Sequence, residues 1–425
     1  MKKNILIYYC GGEVGLEIYE SLKNSVHFNV YGANSKKSIA DLIFENEVIS
    51  LPNIYDDNFI NQLNIVIEKF NIDLIFPTHD ELVYFFSKNE TKIKTRLVGC
   101  NPETVEITKD KSKTYQYFRN SEYVPKVYNQ INEIRNYPVF CKPKIGYGSI
   151  GARKINEKSE LQEELFHNNI ILENLPGKEY TVDCFSNLNN ELLYAFPRLR
   201  KTVRNGVSYV NVEPEEEIIQ TCYQIGLEIN KLLDFKGLWF FQVKEDINGD
   251  LKLLEICTRL ATTMAFARYK GVNLPLLTAF IHFDMPVKIN VFHNNIELYR
   301  YTLTKPKFNF TYDNLYIDFD DTLIIDGKVC LDAISLIYQS KNNSVKIYLI
   351  TKHQFDLYET LSNFHIPVTI FDEIIHIDKE ESKYKYINKD NSVFIDNFYV
   401  ERKEVFQKTN AYVFDVEGIK GLLKE

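Results

Sequence analysis

The 425-residue sequence is poor in the patterns that would settle its class at once. It has no cysteine pair spaced C-x-x-C, although Cys10, Cys100, Cys141, Cys184, Cys222, Cys257 and Cys330 are present, most of them inside apolar runs. That argues against a disulfide scaffold and for reduced, buried thiols of a cytoplasmic protein. Positive charge is not in excess: 50 Lys and Arg stand against 58 Asp and Glu, a net charge of −8, so no nucleic-acid partner is expected. No apolar run reaches the length of a membrane span. Met1-Lys2-Lys3 before Ile5-Leu6-Ile7-Tyr8-Tyr9 opens like a secretory leader, but the run stops at Gly11-Gly12 and reads better as a first β-strand. No G-x-x-x-x-G-K-[ST] loop occurs, which excludes a Walker-type phosphate loop.

What is present is organised around Tyr137 to Lys154, YPVFCKPKIGYGSIGARK. Val139-Phe140-Cys141 has strand character and ends in Lys142; Gly146, Gly148 and Gly151 follow, with Ser149 among them. Glycines let backbone N–H groups approach phosphate oxygens, and a lysine at the strand end supplies a point charge for the same oxygens. A flexible hairpin turn would look similar, so the flanking sequence has to decide.

The length calls for two or three domains. At the start, strand, Gly11-Gly12-Glu13-Val14-Gly15 turn and helix suggest a nucleotide-type βα unit, although G-G-x-x-G is not a dinucleotide fingerprint. Further strands are expected at Phe28 to Gly32 and Asp73 to Pro77, and a helix from Asn58 to Phe70. His79-Asp80-Glu81 reads as a helix N-cap with acidic residues in the first turn, in preference to direct catalysis. Lys109 to Lys113 heads an amphipathic helix. Ile170 to Asp183 reads as two strands separated by a short connection bearing Glu173 and Glu179. Gly237 to Val243 and Leu251 to Cys257 form a hairpin through Asn248-Gly249-Asp250, which would bring Gln242 and Glu255 to one face. Arg198, Arg200, Lys201 and Arg204 form a basic run that is either a solvated loop or a clamp on an anionic substrate. Lys113 and Lys178 read as solvated surface charges.

In their order these parts resemble the ATP-grasp superfamily, from about Ile5 to about Phe292. The resemblance implies ATP-binding roles for Lys111, Lys142, Gly148, Ser149, Glu173, Leu175 and Glu179. It implies magnesium on Gln242 and Glu255, and Arg259 beside the transferred phosphate, with Arg204 and Arg259 as substrate contacts. Cys257 departs from the pattern, which has asparagine there as a metal ligand, and a thiol is a poor donor for Mg²⁺.

Near the end, Leu315-Tyr316-Ile317-Asp318-Phe319-Asp320-Asp321-Thr322 is an apolar strand running into D-x-D-x-T. One carboxylate can attack phosphorus while the second, two residues on, protonates the leaving oxygen and then activates water. The motif closely resembles the first motif of haloacid dehalogenase-type (HAD) phosphatases. That resemblance implies Asp318 as nucleophile, Asp320 as acid/base, Thr351 as phosphate-holding hydroxyl, and Lys383 as the balancing cation, with Lys379 and Lys385 as rivals. It implies Mg²⁺ on Asp318, Asp320 and Asp396, with Asn397 where a second aspartate is common. The spacings Thr322 to Thr351 and Thr351 to Lys383 leave no room for a cap domain. The site must be open to solvent unless the substrate is large, or the ligase half or a second subunit covers it.

The expectation is therefore a multidomain α/β and α+β protein: a Rossmann-like pre-ATP-grasp domain over 1–105, an ATP-grasp domain over 106–298, a linker over 299–312 and a capless HAD-like domain over 313–425. The resemblance implies a carboxylate–amine ligase using ATP and Mg²⁺ on small molecules, fused to a phosphatase acting on a phosphorylated small molecule, in a homodimer. An ATP-grasp kinase, or a nucleotide-sensing module that regulates the phosphatase, is the alternative.

Overall fold

The computed structural model describes residues 2–146, 148, 150–292 and 295–424. The chain divides into two compact units, Met1–Thr302 and Leu303–Glu425.

The first unit holds three sheets. Strands Ile49–Ser50, Phe28–Asn34, Lys3–Tyr8, Ile72–Pro77 and Arg96–Leu97 lie side by side in that order, all parallel. The turn after Lys3–Tyr8 runs through Gly12 into helix Glu13–Leu22. Gly15 is dictated by close approach, because a Cβ there would lie 2.6 Å from the Cys10 carbonyl oxygen. The second sheet, in the order Val127–Tyr128, Asn169–Glu173, Val139–Pro143 and Arg153–Ile155, is antiparallel. The third has six strands, with Leu251–Cys257, Gly237–Glu245, Glu179–Ser186 and Leu192–Arg204 as its first four neighbours. Asn169–Glu173 and Glu179–Ser186 thus belong to different sheets, and the short connection between them crosses from one to the other.

One face of the six-stranded sheet, with Tyr180, Val182 and Cys184, packs on Cys222, Ile225 and Ile229 of helix Glu216–Leu232. The other face, with Phe185, Tyr194, Leu238 and Phe240, forms a common core with Ile5, Ile7, Ile18 and Leu74. Burying both faces in this way welds the first hundred residues to the sheet that carries Gln242 and Glu255. All seven cysteines are unpaired, and all but the half-buried Cys330 are buried. Among the described residues no helix is long and apolar enough to cross a membrane.

Three expectations need correction. The helix headed by Lys109 to Lys113 is broken: Pro102–Lys109 ends, and Asp110 accepts the Ser112 N–H at 2.9 Å to cap a new helix, Lys111–Tyr117. The basic run is no loop but the end of strand Leu192–Arg204. The supposed linker is tied at both ends: Glu297–Tyr299 pairs with Val207–Val212, while Phe310 stacks on Tyr412 at 3.7 Å and Phe308 meets Phe414 edge-on.

In the second unit Glu373–His376, Lys346–Thr351, Asn314–Ile317, Ser392–Ile395 and Tyr412–Phe414 form one parallel sheet in that order. Parallel sheets need both faces covered, and Leu336, Ile337 and Leu361 of helices Leu331–Asn342 and Leu357–Asn363 pack with Leu315, Ile317 and Leu349. Between Thr322 and Lys383 the chain forms a small hairpin, these two helices and two strands, with no separate cap.

Candidate active sites

The first site lies where the second and third sheets of Met1–Thr302 face each other. Lys111, Lys142, Gly148, Glu173, Leu175, Glu179, Gln242 and Glu255 all line one cleft. Ser149 lies outside the described residues. Gly146, Gly148 and Gly151 have φ of 153°, 62° and 76°, which explains why glycine occupies these turn positions.

Lys142 leaves the end of its strand with its Nζ donating to Tyr115 Oη at 2.7 Å and to the Leu254 carbonyl at 2.9 Å. Burial, and then the neighbouring Lys111 charge, pushes its ammonium down to about 7. Lys111 starts its helix close by, donates to the Gly146 carbonyl at 2.7 Å and stands 3.7 Å from Glu255 Oε2. Glu255 and Gln242 are register partners on adjacent strands. Gln242 Nε2 donates to Thr181 Oγ1 at 3.4 Å, which leaves its amide oxygen for a cation. One carboxylate and one amide oxygen beside a phosphate cleft suit Mg²⁺, which keeps several waters and takes few protein ligands.

Glu173 accepts the Lys126 N–H at 2.8 Å, so its carboxylate braces the crossing between the sheets and leaves the local backbone to meet a ligand. Glu179 is held by Arg200, and by Lys244 at 3.8 Å. Arg200 also donates to the Gly206 carbonyl at 2.6 Å, and both residues line the cleft. Arg200, named in the basic run but not singled out there, is the arginine of that run that lines the cleft. Arg204, chosen instead, is exposed, with its guanidinium over the Tyr209 ring and away from the cleft lining. The available signal was spacing: Arg198 and Arg200, two apart on a strand, share a face. Arg198 is buried beneath that face, forked onto Asp183 and donating to Asn211.

A second cavity shares Lys111, Gly146, Gly148 and Glu255 with the cleft and continues to Asp80, Glu81, Cys257 and Arg259. Arg259 Nε and Nη2 donate to the two Asp80 oxygens at 2.8 and 2.9 Å. Burial acts to raise the Asp80 carboxyl, but the Arg259 charge and its hydrogen bonds outweigh it and hold Asp80 below the usual range. Asp80 does sit in the first turn of helix Asp80–Asn89, as the N-cap reading has it, and it has this additional role. Burial drives the Cys257 thiol well above its ordinary pKa, so it stays neutral and offers no thiolate to a cation.

The second site lies at the carboxyl ends of the three central strands of Leu303–Glu425. Lys383 Nζ bridges Asp318 Oδ1 at 2.7 Å and Asp396 Oδ2 at 2.6 Å, buried with both of them. Its rivals Lys379 and Lys385 are exposed. Burial pushes the Asp318 carboxyl up, with Lys383 opposing and Asp396 adding to the rise. Thr351 is buried at its strand end, its Oγ1 accepting the His353 N–H at 3.1 Å. The Asn397 backbone N–H donates to the buried Thr322 Oγ1 at 3.0 Å, and its side-chain Oδ1 lies 3.4 Å from the same hydroxyl, which anchors the two motif loops to each other.

Asp320 corrects the expected metal trio. Its carboxylate is engaged by His353 Nδ1 at 2.9 Å, and His353 Nε2 contacts Thr360 Oγ1 at 3.1 Å. With Lys383 between the other two carboxylates, no three His, Cys, Asp or Glu side chains among the described residues form a metal cage. The donors as placed do not fit the metal the resemblance implied. His353 escaped sequence reading, although it stands two residues past Thr351 at the end of its strand.

Comparison with known proteins agrees with the architecture of the first unit. Residues 165–300 match a family model described as ATP-grasp in the biosynthetic pathway with Ter operon, ending before the second unit begins. No curated protein sequence matches. Among solved structures, biotin carboxylase from Campylobacter jejuni in a β-γ-ATP complex is similar with TM-score 0.57 and 17% identity over 68% of this chain and 72% of that one. The ADP complex of N5-carboxyaminoimidazole synthetase from Staphylococcus aureus gives 0.55 and 15% over 68% and 79%. L-amino acid ligase from Bacillus licheniformis gives 0.53 and 15% over 65% and 73%. At such identities the likeness is one of fold. The chain carries an ATP-grasp fold.

Proposed function

We propose that Met1–Thr302 is an ATP-dependent carboxylate–amine ligase and Leu303–Glu425 a HAD-type phosphatase working on the same pathway. The observation that carries the first half is the convergence of Lys111, Lys142, Glu179, Gln242 and Glu255 on one cleft. Lys142 and Lys111 neutralise the triphosphate, the glycine turn offers backbone N–H groups to it, and Glu179 with Arg200 fixes the sugar end. Magnesium bound through Gln242 and Glu255 would supply further charge compensation for the phosphates. A substrate carboxylate oxygen attacks the γ-phosphorus as the bond to ADP breaks. The amine then attacks the acyl carbon, phosphate leaves with its oxygen, and the amine gives up a proton to solvent. Arg259, at the head of the adjoining cavity, offsets charge that develops in the transfer.

In the second half an Asp318 oxygen attacks phosphorus while Asp320 gives a proton to the leaving oxygen. Water then attacks the aspartyl phosphate, Asp320 takes its proton, and phosphate is released. Lys383 offsets the charge of phosphate and aspartates.

Phosphorus NMR with ATP, magnesium and pools of carboxylates and amines tests this, run beside Asp318→Asn. The expected result is a phosphorylated amide that accumulates only in the variant. ADP formed with a stable phosphorylated product and no amide would turn the first half into a kinase. Cys257 favours a further reading, a nucleotide sensor that regulates the phosphatase; ATP binding without turnover in every pool would select it.

A further inference from the structure

The mouth of the second site is flanked by uncovered aromatic side chains. Phe355 and Tyr358, after strand Lys346–Thr351, are 76% and 60% exposed; Phe398 and Tyr399, after strand Ser392–Ile395, are 57% and 65% exposed. Single exposed apolar residues such as Phe406 need no explanation. These four differ, because they come in pairs from the two strands on either side of Asn314–Ile317, which delivers Asp318.

A contact ties one residue of each pair to the reacting groups, through its ring in one case and its backbone in the other. The Phe355 ring lies 5.7 Å from the His353 ring, edge-on, and His353 holds Asp320. On the opposite side the Phe398 N–H donates to Asp396 Oδ1 at 2.7 Å, and Asp396 shares Lys383 with Asp318. A phosphoryl group delivered to Asp318 therefore has its leaving group between the two segments that carry these pairs. Each ring side chain buries roughly 150–250 Å² at most, part of it already covered, so the four together fall short of the roughly 800 Å² that a stable protein interface takes from each partner. They suffice for a small planar body.

We infer that the substrate of the second site is a phosphomonoester with an aromatic body, held between Phe355 with Tyr358 and Phe398 with Tyr399. The inference rests on the phosphatase reading. It names the chemical class which that reading leaves open.

The test uses the full chain with Asp318→Asn, and calorimetry with 1-naphthylmethylphosphonate and methylphosphonate as probes. The naphthyl compound is expected to bind about tenfold tighter or more, as ring contacts on two flanks imply. Adding Phe355→Ala and Phe398→Ala should bring the ratio within about threefold, while Phe406→Ala keeps it. Thermal melting monitors the fold of each variant. Equal affinity of the two phosphonates, or a preference that survives the double substitution, overturns the inference and leaves the phosphatase reading standing. A change of mass in light scattering on the double substitution also overturns it, by assigning the rings to a contact between copies. If neither phosphonate binds, the phosphatase reading itself falls and takes the inference with it.

Discussion

On the proposed function the two candidate sites serve the same need, to handle a phosphoryl group, with opposite constructions. In Leu303–Glu425 the charges are already balanced: Lys383 sits within hydrogen-bond reach of two carboxylates delivered by neighbouring parallel strands. In Met1–Thr302 the cations wait. Lys142 takes a carbonyl and a tyrosine hydroxyl as partners and is pushed toward neutrality, while Lys111 donates to a carbonyl and stands 3.7 Å from Glu255. A site closed on itself is stable without ligand and must trade partners to bind one. A site of underemployed cations gains its missing charge from the ligand, so its affinity should depend on pH.

The sharpest way to break the comparison is to remove one charge from each site. Glu255→Ala should lower ATP turnover by about 10²–10³-fold and leave phosphatase activity intact, while Asp318→Asn should do the reverse. Coupled assays for ADP and phosphate check both, and a variant that silences both activities would mean the units do not work separately.

Next in size is a stability effect. Arg198→Leu leaves Asp183 buried without its partner and should destabilise the first unit by about 3–5 kcal/mol, read by denaturant unfolding. Arg204→Ala, six residues on, should change stability by less than about 0.5 kcal/mol and leave the Michaelis constant for ATP unaltered.

The waiting cations can be tested by proton uptake. Lys142 stands near 7 without ligand, and phosphate oxygens favour its charged form, so the bound value is higher. Nucleotide binding must therefore take up protons above pH 7, and affinity should fall as pH rises from 7 to 9, by at most about tenfold per unit. Calorimetry in buffers of different ionisation enthalpy measures this, and Lys142→Met should abolish the uptake. Arg200→Ala should raise the Michaelis constant for ATP roughly tenfold with little change in turnover, since Arg200 acts through Glu179.

The two sites were also unequally legible. Asp318, Asp320 and Thr322 fall within five residues of one strand end, and local order is enough to find them. Lys142 and its glycines are similarly local. Glu179, Gln242 and Glu255 could be suspected only through their order along the chain, because three strands of one sheet have to pair before their side chains share a face. The engagement of Asp320 by His353 was invisible, since nothing in the spacing tells which way a motif carboxylate turns.

The sequence by itself determined the strand ends, the turns that only glycine accepts and the chemical identity of the groups that end there, because each depends on residues a few positions apart. Tertiary structure decided which residue of the basic run lines the cleft. Side chains on a strand alternate faces, so Arg198 and Arg200 point together, but pairing slips between Arg200 and Thr202 and again between Thr202 and Val203. Those slips belong to the pairing with Val207–Val212; the ladder with Glu179–Ser186 is paired only as far as Leu199 opposite Tyr180, so Arg204 lies beyond the stretch that meets Glu179. Such irregularities arise from how neighbouring strands fit, and that fit exists only in the folded sheet.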